Sequence, residues 1–302
     1  MADAKTPSSP PPPPEGEGRK AAIVEHAAGD GYRWKYRAYA GPAAPKGIVV
    51  FIHGVQSHGG WYEYSCTQLA REYQVFFLDR RGSGLNDDAR GDAPSFRRLI
   101  DDIAEFLTTL PRNAERGRLP VFLAGISWGG KLAVALERRH PGLVDGLILM
   151  CPGFYAKVRP TLMQRLGIFF ARLFRPRTLY PIPLNEPELF TANPRWQQFL
   201  RDDPLRLHDA TSRFLIESVR LDGYLSFSPK YVHVPVLLLL ASEDRIIRNG
   251  KVRAYVERFA TKDKTIIEYA GAQHTLEFEP EPDRFIDDVR AWLDKRVEKP
   301  AM

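Results

Sequence analysis

The feature that most constrains the fold is a series of short, continuous apolar runs that alternate with amphipathic stretches. The apolar runs occupy residues 47–54, 74–79, 119–126, 143–150, 235–241 and 264–270. Stretches of helical period lie between or after them, at residues 61–71, 96–110, 128–140, 250–260 and 281–297. Apolar runs without polar alternation are typical of strands covered on both faces. The order therefore predicts an α/β fold, with a mostly parallel sheet and helices on both of its faces.

Two segments do not follow this alternation of apolar runs and amphipathic stretches. Residues 1–20 are rich in proline and charge, and such a composition buries too little apolar surface to fold. Residues 152–232 contain helical and proline-rich stretches but no convincing buried strand. We therefore predict a disordered tail at 1–20, a core formed by 21–151 and 233–298, and a mainly helical cap inserted at 152–232.

Composition narrows the class of protein further. The 302-residue chain has a formal net charge of +6, but its basic residues are interleaved with 37 acidic ones. No nucleic-acid-binding module is visible, so no nucleic-acid partner is expected. No apolar run in the sequence reaches the roughly 18 residues needed to span a bilayer. Cys66 and Cys151 are too few for a disulfide framework, which favours a cytoplasmic location.

The stretch VFLAGISWGG, residues 121–130, places Ser127 at the end of an apolar run and at the start of a helical one. Gly125 and Gly129 flank the serine, giving a Gly-x-Ser-x-Gly pattern. In this pattern small neighbours permit the strained turn that exposes a nucleophilic hydroxyl. An ordinary turn serine is the alternative, and the strand–turn–helix setting favours the nucleophile.

A serine nucleophile needs a base to take its proton and a carboxylate to orient that base. In the expected chain order the acid follows a later strand and the histidine follows the last one. Asp244 follows the run at 235–241, and His274 follows the run at 264–270. Glu243, next to Asp244, stays an alternative acid.

The other histidines have different expected roles. His53 and His58 are spaced like metal ligands, but no carboxylate or cysteine set completes a metal site. We therefore expect neither a metal nor an organic cofactor. Structural or solvent-facing roles are expected for the rest, namely His26, His140, His208 and His233.

The oxyanion that forms on attack needs preorganised amide donors. Trp128, the residue after the nucleophile, supplies the first. His53 and Gly54 end the run at 47–54, and a glycine there lets the backbone approach closely, which nominates the amide of Val55 as the second. A plain strand-ending turn is the other interpretation of the His-Gly pair, and the two are compatible.

These residues resemble the α/β-hydrolase superfamily, and within it the branch of monoacylglycerol lipases, lysophospholipases and serine-aminopeptidase-like enzymes. The similar stretches are VVFIHGVQSHGGWYEY, VFFLDRRGSGLND, LAGISWGG, NPRWQQFLRDDPLRLHDATSRF, LLLLASEDRII and AGAQHTLEFEP. The resemblance implies these site residues: Ser127 as nucleophile, Asp244 as acid, His274 as base, and Val55 and Trp128 as oxyanion amides.

The chain departs from the family's usual pattern beside the nucleophile and in the oxyanion loop. Ile126 and Trp128 stand where the family usually has His and Met, and Gln56 and Ser57 stand where it often has Gly and Glu. A tryptophan next to the serine is expected to crowd the acyl pocket. Acyl length and head group are therefore less constrained by the resemblance than the chemistry is.

Residues 157–177, KVRPTLMQRLGIFFARLFRPR, combine an apolar helical stripe with many cations and no acidic residue. The stripe consists of Leu162, Leu166, Phe169, Phe170 and Leu173, and the cations are Lys157, Arg159, Arg165, Arg172, Arg175 and Arg177. Such a helix is suited to an anionic lipid surface. Packing of the stripe on the cap and core is an equally weighted alternative.

Together these features predict a serine hydrolase that cleaves carboxylic esters of hydrophobic acyl chains through an acyl-enzyme. The expected substrate is a small lipid-like ester, a monoacylglycerol or a lysophospholipid, with peripheral membrane contact through the basic cap helix. The alternatives are a peptidase, a thioesterase or an acyltransferase with the same triad, and a non-catalytic binding protein on this fold.

Overall fold

The structure is a computed structural model that describes residues 21–114 and 117–297. The predicted tail at 1–20 lies outside the described residues, as does residue 298 at the end of the predicted core. No helix among the described residues is both long enough and apolar enough to cross a membrane.

Twelve strands are formed by the described residues. In chain order they are β1 (Ala22–Ala27), β2 (Arg33–Tyr39), β3 (Ile48–Ile52), β4 (Gln74–Leu78), β5 (Asn113–Ala114), β6 (Gly117–Arg118), β7 (Val121–Ile126), β8 (Gly146–Met150), β9 (Leu179–Pro181), β10 (Asp209–Thr211), β11 (Val236–Ala241) and β12 (Lys264–Tyr269). Eight of them form the main sheet, in the spatial order β1-β2-β4-β3-β7-β8-β11-β12. β1, β2 and β4 pair antiparallel, and every pairing from β4 to β12 is parallel.

The helices lie between these strands. They are α1 (Glu63–Leu69), α2 (Phe96–Thr109), α3 (Trp128–Arg139), α4 (Leu162–Phe174), α5 (Pro194–Asp202), α6 (Ser212–Leu225), α7 (Asn249–Glu257) and α8 (Asp283–Val297). α1 packs against α8, while α2 packs against α3 and α6. The amphipathic period of α2 is confirmed, because Leu99, Ile103 and Phe106 of its apolar stripe are buried.

The central strands are covered on both faces. Every residue of β3, β7, β8 and β11 is buried. Successive side chains of a strand point to opposite faces of the sheet, so both faces of the sheet must be covered by other parts of the chain. The predicted α/β fold, with its mostly parallel sheet, is therefore confirmed.

The sequence pattern missed β1 and the two small sheets, β5–β6 and β9–β10. β1 is an edge strand and is mostly exposed, so it carries little of the apolar signal that predicted the inner strands. Residues 152–232, all of which the structure describes, contain α4, α5, α6 and the β9–β10 pair, and they add no strand to the main sheet. We call residues 152–232 the cap.

Candidate active site

Parallel strands bring the predicted site residues to one edge of the sheet. Ser127 follows β7, Asp244 follows β11 and His274 follows β12. These strands run parallel through β8, so their carboxyl ends lie on the same side. In open sheets of this type that side carries the functional loops.

Ser127 occupies a strained turn between β7 and α3. Its backbone φ is +50°, in a region that residues with a side chain rarely adopt. The turn also requires close backbone approaches, since a Cβ on Gly129 would lie 2.4 Å from the Ile52 carbonyl oxygen. Ser127 stays partly exposed at the top of this turn. The glycines of the motif therefore serve a conformation that presents the serine hydroxyl.

The three predicted triad residues form a continuous hydrogen-bonded chain. His274 Nε2 lies 2.9 Å from Ser127 Oγ, and His274 Nδ1 lies 2.6 Å from Asp244 Oδ2. A carboxylate accepts only, so Nδ1 carries the proton and Nε2 is left to accept from the serine hydroxyl. This is the tautomer that a general base for Ser127 requires.

Asp244 is held as a carboxylate. It is buried, and burial opposes its ionisation, but His274 and the amides of Ile246 and Ile247 together lower its pKa below the usual value. The two amides donate to Oδ1 at 2.7 and 2.9 Å, which leaves Oδ2 for the imidazole. Glu243, the alternative acid, points to the exposed surface, where its Oε1 accepts a hydrogen bond from Ser242. Asp244, and not Glu243, therefore lies within hydrogen-bonding distance of His274.

Cys151 lies beside His274 and Asp244, although no sequence pattern pointed to it. Its φ is +42°, and its sulfur lies within 4.8 Å of a carboxylate oxygen of Asp244 and of a ring nitrogen of His274. Burial, followed by the nearby charge of Asp244, raises the pKa of this thiol well above its ordinary value. The thiol is therefore neutral beside the charged carboxylate.

The loop at residues 53–57, which we call the oxyanion loop, lies against the nucleophile. A Cβ on Gly54 would lie 3.2 Å from Ser127 Cβ. Ser57 Oγ accepts from the Gly54 amide at 3.0 Å, and His53 Nδ1 lies 2.7 Å from the Gly54 carbonyl oxygen, to which it donates. Val55, the next residue, is partly exposed like Ser127.

His53 fixes this loop as a neutral imidazole. Its Nε2 accepts from the Arg80 amide at 3.1 Å while its Nδ1 donates to Gly54, so each ring nitrogen has one task. Complete burial, and then the charge of Arg80, lowers the pKa of His53 to about 3. His58 has a separate partner, since its Nε2 lies 2.9 Å from Asp203. His53 and His58 therefore have separate partners and do not form a shared metal site.

Trp128 connects the nucleophile turn to the cap. It is the first residue of α3, so its amide is among those that a helix leaves without an internal partner. Its indole is buried: Nε1 donates to Ser218 Oγ at 2.9 Å, and the ring packs on Phe214 at 5.3 Å between centroids. Both partners belong to α6 of the cap.

A second cap contact reaches the base. The Phe190 ring packs edge-on against His274 at 6.1 Å, and the Phe190 carbonyl accepts from the Thr275 amide at 3.0 Å. The cap therefore touches both the nucleophile turn and the histidine loop. Sequence reasoning missed Phe190, because a lone aromatic in an irregular segment has no periodic signal.

Comparison with known proteins adds to this geometry. A family model described as serine aminopeptidase, S33, matches residues 43–281. The monoacylglycerol lipase of Mycolicibacterium smegmatis is 25% identical over 87% of this chain and 93% of that protein. Phospholipase YtpA of Bacillus subtilis is 24% identical over 84% of this chain and 97% of that protein. The crystal structure of a soluble variant of monoglyceride lipase from Saccharomyces cerevisiae, in complex with a substrate analog, has a TM-score of 0.81 at 19% identity and covers 97% of this chain and 100% of that chain.

Proposed function

Because the chain belongs to the serine aminopeptidase S33 family of α/β-hydrolases, we propose that it is a serine hydrolase that cleaves carboxylic esters of hydrophobic acyl chains. The observation that carries this proposal is the hydrogen-bonded chain from Ser127 through His274 to Asp244. Relatives named monoacylglycerol lipase and phospholipase support a monoacylglycerol or a lysophospholipid as the substrate.

Acylation begins at the serine hydroxyl. Ser127 Oγ attacks the ester carbonyl carbon while its proton passes to His274 Nε2. The carbonyl oxygen becomes an oxyanion, which the amides of Val55 and Trp128 stabilise. Collapse of this intermediate breaks the bond to the alcohol, which leaves with the proton from His274 and gives an acyl-enzyme.

Deacylation repeats these steps with water. His274 takes a proton from the water as the oxygen attacks the acyl carbon, and the second oxyanion forms at the same amides. Its collapse releases the fatty acid and returns the proton to Ser127. Asp244, which stays ionised near neutral pH, stabilises the imidazolium in both halves of the reaction.

Replacement of the nucleophile tests this assignment. Ser127→Ala should abolish hydrolysis of p-nitrophenyl esters and labelling by a fluorophosphonate probe, with an unchanged unfolding midpoint. Ser226→Ala, at an exposed serine after α6, is the matched control and should keep both the ester hydrolysis and the probe labelling of the wild type. Turnover retained by Ser127→Ala would overturn the assignment. A panel of monoacylglycerols, lysophospholipids and aminoacyl amides then separates lipase from peptidase activity.

We further propose that α4 is the lipid contact of the cap. Among its apolar residues only Ile168 is buried, and its predicted apolar stripe is exposed, from 46% at Leu166 to 70% at Leu162. This exposure does not support the alternative, in which the stripe packs on the cap and core. Within the described residues, none of the stripe's neighbouring cations, Lys157, Arg159, Arg165, Arg172, Arg175 and Arg177, forms an ion pair with a carboxylate. An exposed apolar face beside cations whose charge no carboxylate offsets suits a membrane with anionic lipids.

A further inference from the structure

Arg80 is buried at the junction of the core, the cap and the oxyanion loop. Only 6% of the residue is exposed. Its guanidinium lies 5.1 Å from the ring centroid of Trp128 and 5.2 Å from that of Phe214, so the rings of the nucleophile turn and of α6 both contact it. Its Nη2 donates to the Val55 carbonyl oxygen. One buried cation thus touches both proposed oxyanion residues and the cap.

No carboxylate in the part of the chain that the structure describes forms an ion pair with Arg80, and the nearest negative charge that favours its ionised form is that of Asp79. The adjacent Asp79 is bonded to Arg37 at 2.8 Å and accepts from the amides of Gly59 and Leu85. Within the described part of the chain, Arg80 Nε has no hydrogen-bond partner, and the nearby Arg90 adds a like charge. Burial lowers the pKa of Arg80 to about 9, so the guanidinium is still charged at neutral pH. A buried cation with few hydrogen bonds is costly, so the bond to the Val55 carbonyl adds substantially to the stabilisation that the two rings provide.

The bond to Val55 completes the fixation of the oxyanion loop. The carbonyl of Gly54, which shares a peptide with the Val55 amide, accepts from His53 at 2.7 Å. The next peptide is held through the Val55 carbonyl by Arg80, and the following one through the Gln56 carbonyl by the Leu207 amide of the cap at 3.0 Å. Three consecutive peptides are therefore fixed, and only the middle one is fixed by a charged side chain.

We propose that Arg80 is a positioning residue for catalysis: it fixes the peptide that follows Val55, and together with the peptide that His53 fixes before it this holds Val55 so that its amide points at the oxyanion. We propose also that α6 holds Arg80 in this place. The proposal rests on the proposed hydrolase function. Donors that are already oriented need no reorganisation when charge develops in the transition state. Loss of the bond from Arg80 therefore lowers the rate of the chemical steps more than it weakens substrate binding. The same contacts make catalysis sensitive to the position of α6.

The test compares Arg80→Met with Arg296→Met in the full chain. Arg296 is a matched control, because it also stacks on a ring, that of Trp292, and donates to a backbone carbonyl, but it lies at the end of α8 and its partners do not belong to the cap or the site. With p-nitrophenyl butyrate we expect Arg80→Met to lower kcat by roughly 10–100-fold with KM within about twofold, since a lost oxyanion donor costs roughly 100–1,000-fold. Arg296→Met should keep the wild-type kcat.

Two further measurements separate positioning from a general loss of structure. Arg80→Lys keeps the charge without the guanidinium fork, so its kcat should be several-fold below wild type and above that of Arg80→Met. Added methylguanidinium should raise the kcat of Arg80→Ala and leave that of the wild type unchanged. Should Arg80→Met fail to fold, Arg80→Lys decides in its place.

A folded Arg80 variant with the wild-type kcat, or an equal loss in Arg296→Met, would overturn the proposal. Failure of the hydrolase assignment is a different result: the wild-type protein itself would then show no fluorophosphonate label on Ser127, whatever the Arg80 variants do.

Discussion

Two adjacent carboxylates at the end of β11 should differ sharply in their importance. Asp244 accepts a hydrogen bond from Nδ1 of His274, whereas Glu243 points away from the imidazole. An amide in place of Asp244 can present a donor to Nδ1 and so stabilise the wrong tautomer of the base. We expect Asp244→Asn to lower kcat by roughly 10³–10⁴-fold. Glu243→Gln should stay within about twofold of wild type in the same ester assay, and a large loss there would place the acid at Glu243.

Replacing Gly129 or Gly223 with alanine should change the free energy of unfolding in opposite directions. A Cβ on Gly129 would lie 2.4 Å from the Ile52 carbonyl oxygen, so Gly129→Ala must displace backbone. Around Gly223, inside α6, nothing lies within 4 Å of an added Cβ. Urea unfolding should show a loss of about 1–3 kcal/mol for Gly129→Ala. Gly223→Ala should gain about 0.5–1 kcal/mol, because alanine favours the helix more than glycine. Equal effects of the two substitutions would contradict this account.

The sequence predicted some residue positions well and others not at all. Ser127, Asp244 and His274 each follow a predicted parallel strand, and the topology of such a sheet brings strand ends together. The position of Arg80 followed from no local pattern. Its neighbours Val55, Trp128 and Phe214 come from three distant parts of the chain, and the packing that joins them is not visible in sequence.

The exposed stripe of α4 makes the lipid contact testable at the level of one helix. Phe169 and Phe170 are 52% and 55% exposed, so a membrane would bury a large part of both rings. Replacing both with Ser should weaken binding to phosphatidylserine-containing vesicles about tenfold or more in a flotation assay. Val219→Ser, at an equally exposed apolar residue on α6, is the control and should bind like wild type.

The charge around α4 adds a second expectation to that assay. Anionic lipid attracts basic segments, and salt screens the attraction. Wild-type binding should therefore fall when phosphatidylcholine alone replaces the anionic mixture, and also when salt is raised. If binding changed neither with the lipid mixture, nor with salt, nor on replacement of Phe169 and Phe170, the proposed lipid contact would be overturned.

The spacing of apolar residues along the chain explains which strands and helices could be predicted from the sequence. The inner strands and α2 have strong apolar patterns because they are buried on defined faces. β1 is mostly exposed at the sheet edge and gives no such pattern. The amphipathic period of α4 predicted a helix with an apolar face, but a period carries no information on what covers that face. Only the structure shows the face exposed.

At the scale of the whole molecule, the core and the cap are joined at the site itself. α6 contacts Trp128 through Ser218 and Phe214, and the segment at Phe190 contacts the loop of His274. Lys157, near the start of the cap, donates to the carbonyl of Asp244. Each triad residue or its immediate neighbour therefore touches the cap, so the cap contributes to the positions of all three.

The global stability should also depend on pH through a buried acid. Glu277 is fully buried next to α1; its Oε1 accepts from the Ser65 amide at 3.0 Å, and within the described residues its Oε2 has no partner. Burial raises the pKa of Glu277 from 4.5 to about 7, against the opposing effect of the bonds with Ser65. Between these two values the folded protein holds a proton that the unfolded chain has lost. The free energy of unfolding therefore falls as pH rises from about 4.5 to about 7, and then levels off.

Glu277→Gln should remove this dependence, because glutamine has the same shape and never ionises. The stability of the variant relative to wild type should grow from near zero at about pH 4.5 to roughly 3 kcal/mol at about pH 8, measured by urea unfolding across the range. Burial also raises the pKa of Glu137 to about 7, but both proteins keep that residue, so it cancels in the difference. Glu257→Gln, at an exposed position of α7, should show a difference that does not change with pH. If the Glu277→Gln difference were equally flat, the wild-type carboxyl would already be ionised in the folded core, and a partner other than Ser65 would have to stabilise its charge.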